Sequence, residues 1–395
     1  MKSQGGGSNQ SRVRMYNERL VLSIVRRNTS LSKAHIAKLS GLSPQAVTVI
    51  MRSLESDGLL LRGQPQRGKV GQPSIPMSLD PEGAFSIGLK IGYRHTYMLL
   101  VDFLGNRRAG MHLTYDWPDP NHILEFVSKT LPDFEDKLDQ TQRQRIAGLG
   151  LSIPTDLWEN ADKIGAPHGE LDIWRTFDFE GALSLITDHP VFRQNDTIAA
   201  CGAELAFGSG YGFSDFIYIF IGTLVGGGIV LNHSVYAGPS GKAGTLGSMP
   251  VNLPGEPPSQ LVDHASLFKL ENELKNKGLD AGLLCQLDAD WDVLGDVLQH
   301  WIDNAAKYLA IAVTASCTVI DFQAVIIEGS MPNAIRSRLV AAVRSELANN
   351  EWQGITTPPV VEGKVGRGAR AVGAASLPLL DRYLLDQSVL FKELE

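Results

Sequence analysis

Apolar residues at helical spacing dominate the first eighty positions of the chain. In residues 14–27 (RMYNERLVLSIVRR) they place Leu20, Val21, Ile24 and Val25 on one stripe, which predicts a helix. Ser32 caps a short second helix over residues 33–39, with Ile36 turned inward, and Ser40-Gly41-Leu42 makes a tight turn. Ser43 then caps a third helix whose first residue is Pro44, a position where a missing N–H costs nothing. That helix runs to about Ser56 and stops at Asp57-Gly58. Two short strand-like runs follow, residues 59–62 and 74–79, on either side of a basic, glycine-rich tip (QPQRGKVGQP). Three helices and a hairpin predict a winged helix-turn-helix over residues 13–80.

Pro81-Glu82-Gly83 marks a boundary, and the pattern changes beyond it. Strand-like runs at 85–91, 97–102 and 107–113 precede a helix at about 121–139 and a buried strand at 146–153. A second set begins after Val191: a helix at 196–207, strands at 215–221 and 226–231, helices near 259–276 and 292–317, a strand at 321–327 and a helix at 333–348. Strands followed by helices, met twice, predict two α/β lobes around a cleft. Lobe one is expected over about 84–193 plus the C-terminal helix, and lobe two over about 194–377.

The third helix divides cleanly by face. Val47, Ile50, Met51 and Leu54 share the side that buries against its neighbours, while Gln45, Val49, Arg52 and Ser56 share the other, with Thr48 at the margin. The outer set has the chemistry of a groove reader: Gln pairs with adenine, Arg with guanine, and Val or Thr touches a thymine methyl. Ser43 and Lys33 at helix starts suit phosphate, and Arg67, Lys69 and Gln72 on the wing suit the minor groove or the backbone. The plainer explanations are a solvated amphipathic helix and an ordinary solvated loop.

Charge sharpens this picture. Residues 1–80 hold twelve Lys and Arg against four Asp and Glu, whereas the remainder holds 24 against 39. A basic head on an acidic body predicts a polyanion partner for the head alone. No apolar run reaches membrane-spanning length, and the opening MKSQGGGSNQS lacks a secretory h-region, so residues 1–12 are expected to be a flexible tail on a cytoplasmic protein. Cys201, Cys285 and Cys317 stand far apart in apolar, helix-like contexts, which predicts buried free thiols and no zinc site.

Several strings resemble one family: RRNTSLSKAHIAKLSGLSPQAVTVIMRSLESDGLL, IGLKIG, LGLSIPT at 149–155, QNDTIAACGAELAFG at 194–208, IGTLVGGGIVLNHSVYAGPSGKAG at 221–244 and VIIEGS at 325–330. In this order they are similar to ROK-family regulators (repressor, open reading frame, kinase). The resemblance implies an actin-like, ribonuclease H-like ATPase fold of the sugar-kinase kind behind the winged head. It also implies double-stranded operator DNA, a homodimer or homotetramer, and a sugar or sugar derivative as effector.

The resemblance places kinase parts that this chain has altered. Lys90 stands where the family's phosphate loop carries an Asp, and Arg94 where it carries a small hydroxyl residue. Carboxylate and hydroxyl place the cation in phosphoryl transfer, so no catalytic residue, no cofactor and no enzymatic activity are expected. Asn195-Asp196 matches the pair in which the Asp is the kinase base, although either residue also serves as a helix cap. Thr245, Ser248 and Val262 occupy positions where the family carries Glu, His and Glu, and its cysteine cluster is missing, so no metal is expected; His264 alone is no substitute. Asn195, Asp196, Thr245, Ser248, Thr155 and His168 are the expected ligand contacts. The glycines at 222 and 226–228 fit either phosphate binding or tight turns. The reading that results is a sequence-specific regulator, a repressor of carbohydrate-related genes. The alternatives are a constitutive DNA-binding protein whose ROK domain only dimerises, and a sugar kinase.

Overall fold

The computed structural model describes residues 6–65, 75–286, 289–349 and 353–385. The head consists of α1 (Gly6–Arg27), β1 (Leu31–Ser32), α2 (Lys33–Ser40), α3 (Pro44–Ser56), β2 (Leu60–Arg62) and β3 (Pro76–Leu79), with the strands in the order β1-β3-β2. Its caps are the expected ones. Ser32 Oγ accepts from the His35 N–H, Ser43 Oγ accepts from the Ala46 N–H, and Gly41 takes the left-handed φ of 69° that ends α2. Helix α1 starts at Gly6, so it occupies half of the stretch expected to be a flexible tail. Once its apolar stripe is docked, each further residue adds one hydrogen bond without a new nucleation cost. Arg14, paired with Glu18 at 2.8 Å and donating to Ser53 Oγ at 2.9 Å, ties α1 to α3.

The first lobe contains β4 (Phe85–Ile91), β5 (His95–Asp102), β6 (Arg107–Thr114), α4 (Pro120–Glu135), α5 (Gln140–Arg143), β7 (Ile146–Ile153), α6 (Phe179–Ser184) and β8 (Val191–Asn195), followed by α7 (Asp196–Phe207). The second contains β9 (Phe216–Ile221), β10 (Val225–Leu231), β11 (Ser234–Val235), α8 (Val262–Ala265), α9 (Leu267–Asn276), α10 (Gly295–Cys317), β12 (Ala324–Gly329), α11 (Asn333–Ala348) and β13 (Val360–Glu362), followed by α12 (Ala369–Tyr383). The sheets repeat one order, β6-β5-β4-β7-β8 and β11-β10-β9-β12-β13. In each, three antiparallel strands join two parallel ones. Strands β4, β7, β9 and β12 are buried along their whole length, as central strands covered on both faces must be.

The helices that follow the last strands cross over. Helix α7 leaves lobe one and packs on β10, and α12 leaves lobe two and returns to β4 and β7. Because α12 begins at Ala369, the expected lobe-two limit of 377 falls inside a helix that belongs with lobe one. Glycines permit this return. A Cβ on Gly150 would strike the carbonyl of Ala374, and one on Gly88 would strike Ala371 and Ala375, so α12 lies backbone-close on the sheet. Buried Glu204 of α7 accepts from the backbone N–H groups of Lys364 and Val365, tying α7 to the loop before α12; burial pushes its pKa up.

Other differences have local causes. The helix expected over 259–276 is two helices broken at Ser266, whose hydroxyl accepts from Val225 N–H at 2.9 Å and whose carbonyl accepts from Trp301 Nε1 at 3.1 Å. Cys201 and Cys317 are buried as expected, but Cys285 is exposed, because its segment folds as a surface 3₁₀ turn over Ala281–Cys285.

Candidate DNA-reading surface and ligand cleft

Helix α3 presents the faces its periodicity predicted. Val47, Ile50, Met51 and Leu54 are buried, while Gln45, Arg52 and Ser56 are exposed and Val49 is 66% exposed. Thr48 is half-buried, and its Oγ1 donates to the Pro44 carbonyl at 2.8 Å. The head's ion pairs include Arg14 with Glu18 and Arg62 with Glu55, and neither draws on Arg52. Lys33, the first residue of α2, is half-buried and helps hold the Glu55 carboxyl below its ordinary range, after the stronger hydrogen bond from Arg62. Arg67, Lys69 and Gln72 lie outside the described residues.

The head is fixed to the body. Val21, Leu22, Val25 and Leu54 share one buried cluster with Leu99, Phe103, Leu379 and Leu384. Arg145 Nη1 donates to the carbonyl of Glu82 at 3.0 Å, anchoring the 3₁₀ turn Pro81–Gly83 at the expected boundary. Half-buried Arg26 lies over the ring of Phe207 at 4.1 Å, and desolvation lowers its pKa to about 10.

Between the lobes lies a cavity of about 310 Å³, inside the range of roughly 300–1,000 Å³ common for small-molecule sites. It brings together Asn195, Asp196, Thr245, Ser248, Thr155 and Val262. His168 is not among its lining residues. It is exposed in the turn that follows Pro167. Asn195 is cap and wall at once: its Oδ1 accepts from the N–H groups of Thr197 and Ile198, and its Nδ2 donates to Thr155 Oγ1 at 3.1 Å.

Sequence reasoning missed much of this wall. Tyr93, Asp156, Asn160, Lys163, Lys242 and Arg370 also line it. Lys242 pairs with Asp156 at 3.2 Å, and Lys163 donates to Gln260 Oε1 at 3.2 Å, each bond joining one lobe to the other. Arg94 likewise reaches Glu271 at 3.1 Å while stacking on Trp117. The signal for Arg370 was present in GRGARAVGAAS, where one cation sits in a small-residue helix that must be buried. A buried guanidinium needs a partner, and the sequence does not say which.

That partner is Asp196. Arg370 Nη1 meets Asp196 Oδ2 at 2.9 Å, and both residues are buried. Arg370 also donates to Ser330 Oγ at 3.1 Å and covers the Phe220 ring at 4.6 Å. Nearby, Lys90 curls back over the β4–β5 turn with its Nζ on the His95 carbonyl at 3.1 Å. Burial, aided by the Arg370 charge, pushes its pKa well down. The glycines at 226–228 are packing sites: Cβ atoms there would meet Thr197, Leu246 and Cys201.

The Pro-rich loop after Ser248 is held by side chains. Tyr308 donates to Glu256 at 2.6 Å, His264 Nε2 and Ser259 Oγ are 2.8 Å apart, and the His264 ring stacks on Tyr308. Among the described residues, no group of three or more His, Cys, Asp or Glu is placed to hold a metal ion, and no helix is long and apolar enough to cross a membrane.

Comparison with known proteins places this architecture. Residues 86–273 match the ROK family, and residues 16–60 match a winged helix-turn-helix DNA-binding domain. The chain therefore carries a ROK-family domain behind a winged helix-turn-helix head. An uncharacterised protein of Sinorhizobium fredii is 25% identical over 371 residues, 93% of this chain and 91% of that one. The xylose repressor of Bacillus subtilis is 22% identical over 391 residues, 95% of this chain and 98% of the repressor. Among solved structures, a ROK-family transcriptional regulator homologous to the E. coli MLC protein superposes with a TM-score of 0.68 at 19% identity, over 96% of this chain and 98% of that one. A Streptomyces griseus ROK glucokinase superposes with a TM-score of 0.57 at 22% identity, over 74% of this chain and 99% of that one. These likenesses establish the actin-like sugar-kinase fold.

Proposed function

We propose that the protein is a cytoplasmic transcriptional repressor of carbohydrate-related genes, controlled by a sugar-like effector in the interlobe cavity. The observation that carries the reading is the cationic head, whose α3 exposes Gln45, Val49 and Arg52 while Val47, Ile50, Met51 and Leu54 bury the opposite face. Supporting it, full-length relatives include xylose repressors of two Bacillus strains. Two heads in a homodimer, or pairs of them in a homotetramer, read a palindromic operator. The cavity supplies Thr155, Asn160, Asn195, Thr245 and Ser248, hydroxyl and amide groups suited to a polyol.

Phosphoryl transfer is not part of the proposal. The base position is tied to Arg370, and Lys90 fills the turn where the family's loop meets phosphate. Footprinting on the gene's own upstream DNA, with and without sugars, polyols and sugar phosphates, tests the reading. A protected palindrome released by one of these compounds is expected. Protection that none of them alters returns the protein to constitutive DNA binding, and absence of protection at low salt refutes both. Turnover of ATP with any sugar of the panel would restore the kinase reading.

A further inference from the structure

Two helices run from the cavity to the head, and each touches a functional feature at either end. Helix α7 begins at Asp196 in the cavity wall and ends at Phe207, whose ring carries the half-buried Arg26 of α1 at 4.1 Å. Helix α12 has Arg370 in its first turn. At its other end, the Leu384 carbonyl accepts from Arg19 Nε of α1 at 2.9 Å, and the Leu380 carbonyl of the last turn accepts from Arg19 Nη2 at 3.1 Å. Leu385 N–H donates to Ser23 Oγ at 2.9 Å, and Tyr383 meets Phe103 edge-on at 5.1 Å. With fifteen residues at about 1.5 Å each, α12 spans roughly 22 Å.

Between these ends the packing has little compliance. Gly373 brings α12 onto the backbone of Ala199 and Ala200 in α7, and Gly88 and Gly150 bring it onto the sheet. Backbone-on-backbone contacts cannot absorb a shift by changing rotamer, so movement at one end reaches the other.

We infer that α7 and α12 form a strut that couples the cavity to the seating of α1, with the Arg370–Asp196 pair as input and the Arg19 and Arg26 contacts as output. This rests on the effector reading above. A ligand hydroxyl that hydrogen-bonds to Asp196 competes with Arg370 and resets the spacing of the two helix N-termini. The DNA-competent and incompetent states then differ in affinity for that ligand, as control requires.

The test uses the full chain and needs no identified effector. In Asp196→Asn, backbone amides of residues 19–27 and 380–385 are expected to exchange at least fivefold faster, while those of α10 and α11 keep their parent rates. If that variant does not fold, Ser330→Ala, which removes one hydrogen bond from Arg370, carries the same measurement. Acceleration confined to the cavity, or spread evenly over the chain, overturns the inference. DNA affinity supplies a second reading through the Asp196→Asn and Arg19→Gln pair. Sites this far apart ordinarily act independently, so a double variant departing at least fivefold from the product of the single effects supports the strut, and agreement within twofold overturns it. Failure of the effector reading looks different: sugars leave the parent protein's footprint unchanged while the exchange coupling persists.

Discussion

Replacing Lys90 with Met should stabilise the protein at neutral pH. Lys90 is 2% exposed, its ammonium donates to the His95 carbonyl at 3.1 Å, and among the described residues no carboxylate forms an ion pair with it. Asp196, whose charge favours the ammonium, is committed to Arg370, and Arg370 itself repels it. The charged form is therefore disfavoured in the folded chain, and its pKa falls well below the ordinary 10.5. A basic group with a depressed folded pKa binds fewer protons folded than unfolded. Stability accordingly rises with pH between the folded value and 10.5, by up to about 1.4 kcal/mol per unit. Methionine has a similar length and removes the charge, at the loss of one hydrogen bond worth about 1 kcal/mol. The net gain at pH 7 is about 1–3 kcal/mol, in the range seen when buried charges give way to apolar groups. Urea denaturation at about pH 7 and again at about pH 9.5 reads this directly: the advantage of Lys90→Met shrinks at the higher pH. An equal advantage at both values, or a loss at pH 7, refutes the argument.

Gln45→Ala and Arg52→Ala each relax base preference at one operator position, with a loss of about 1–3 kcal/mol on the preferred sequence. Binding titrations on operator variants check this, and equal weakening on every sequence means that the wrong face was assigned. Asp196→Ala strands the buried Arg370 and costs about 3–5 kcal/mol, whereas Asp196→Leu combined with Arg370→Met stays within about 2 kcal/mol of the parent; denaturation curves of the three chains compare them. Gly150→Ala drives a methyl into the Ala374 carbonyl and lifts α12 from the sheet, a cost of about 3 kcal/mol or more that appears as a lowered Tm.

The head was legible from the sequence because its information is local. Helical period, serine caps, Gly41 and the charge balance all act within a few residues, and each points to the same motif. The two lobes were legible for a related reason. Fully apolar strands such as Phe85–Ile91 and Ile146–Ile153 announce a sheet covered on both faces. The repeated strand-then-helix series gave the lobe count, and Asn195, Thr245 and Ser248 came from the family resemblance.

Tertiary structure decided whatever depends on partners distant in the chain. The sequence shows an aspartate at 196 and an arginine at 370, and only folding sets them 2.9 Å apart. The crossing of α7 and α12, the interlobe bonds of Lys163 and Lys242, and the exclusion of His168 from the cavity have the same origin. Short-range preferences arise from backbone sterics and caps, which each segment carries with it. The charge state and role of a side chain are set by its neighbours in space, and those exist only after the lobes have closed around them.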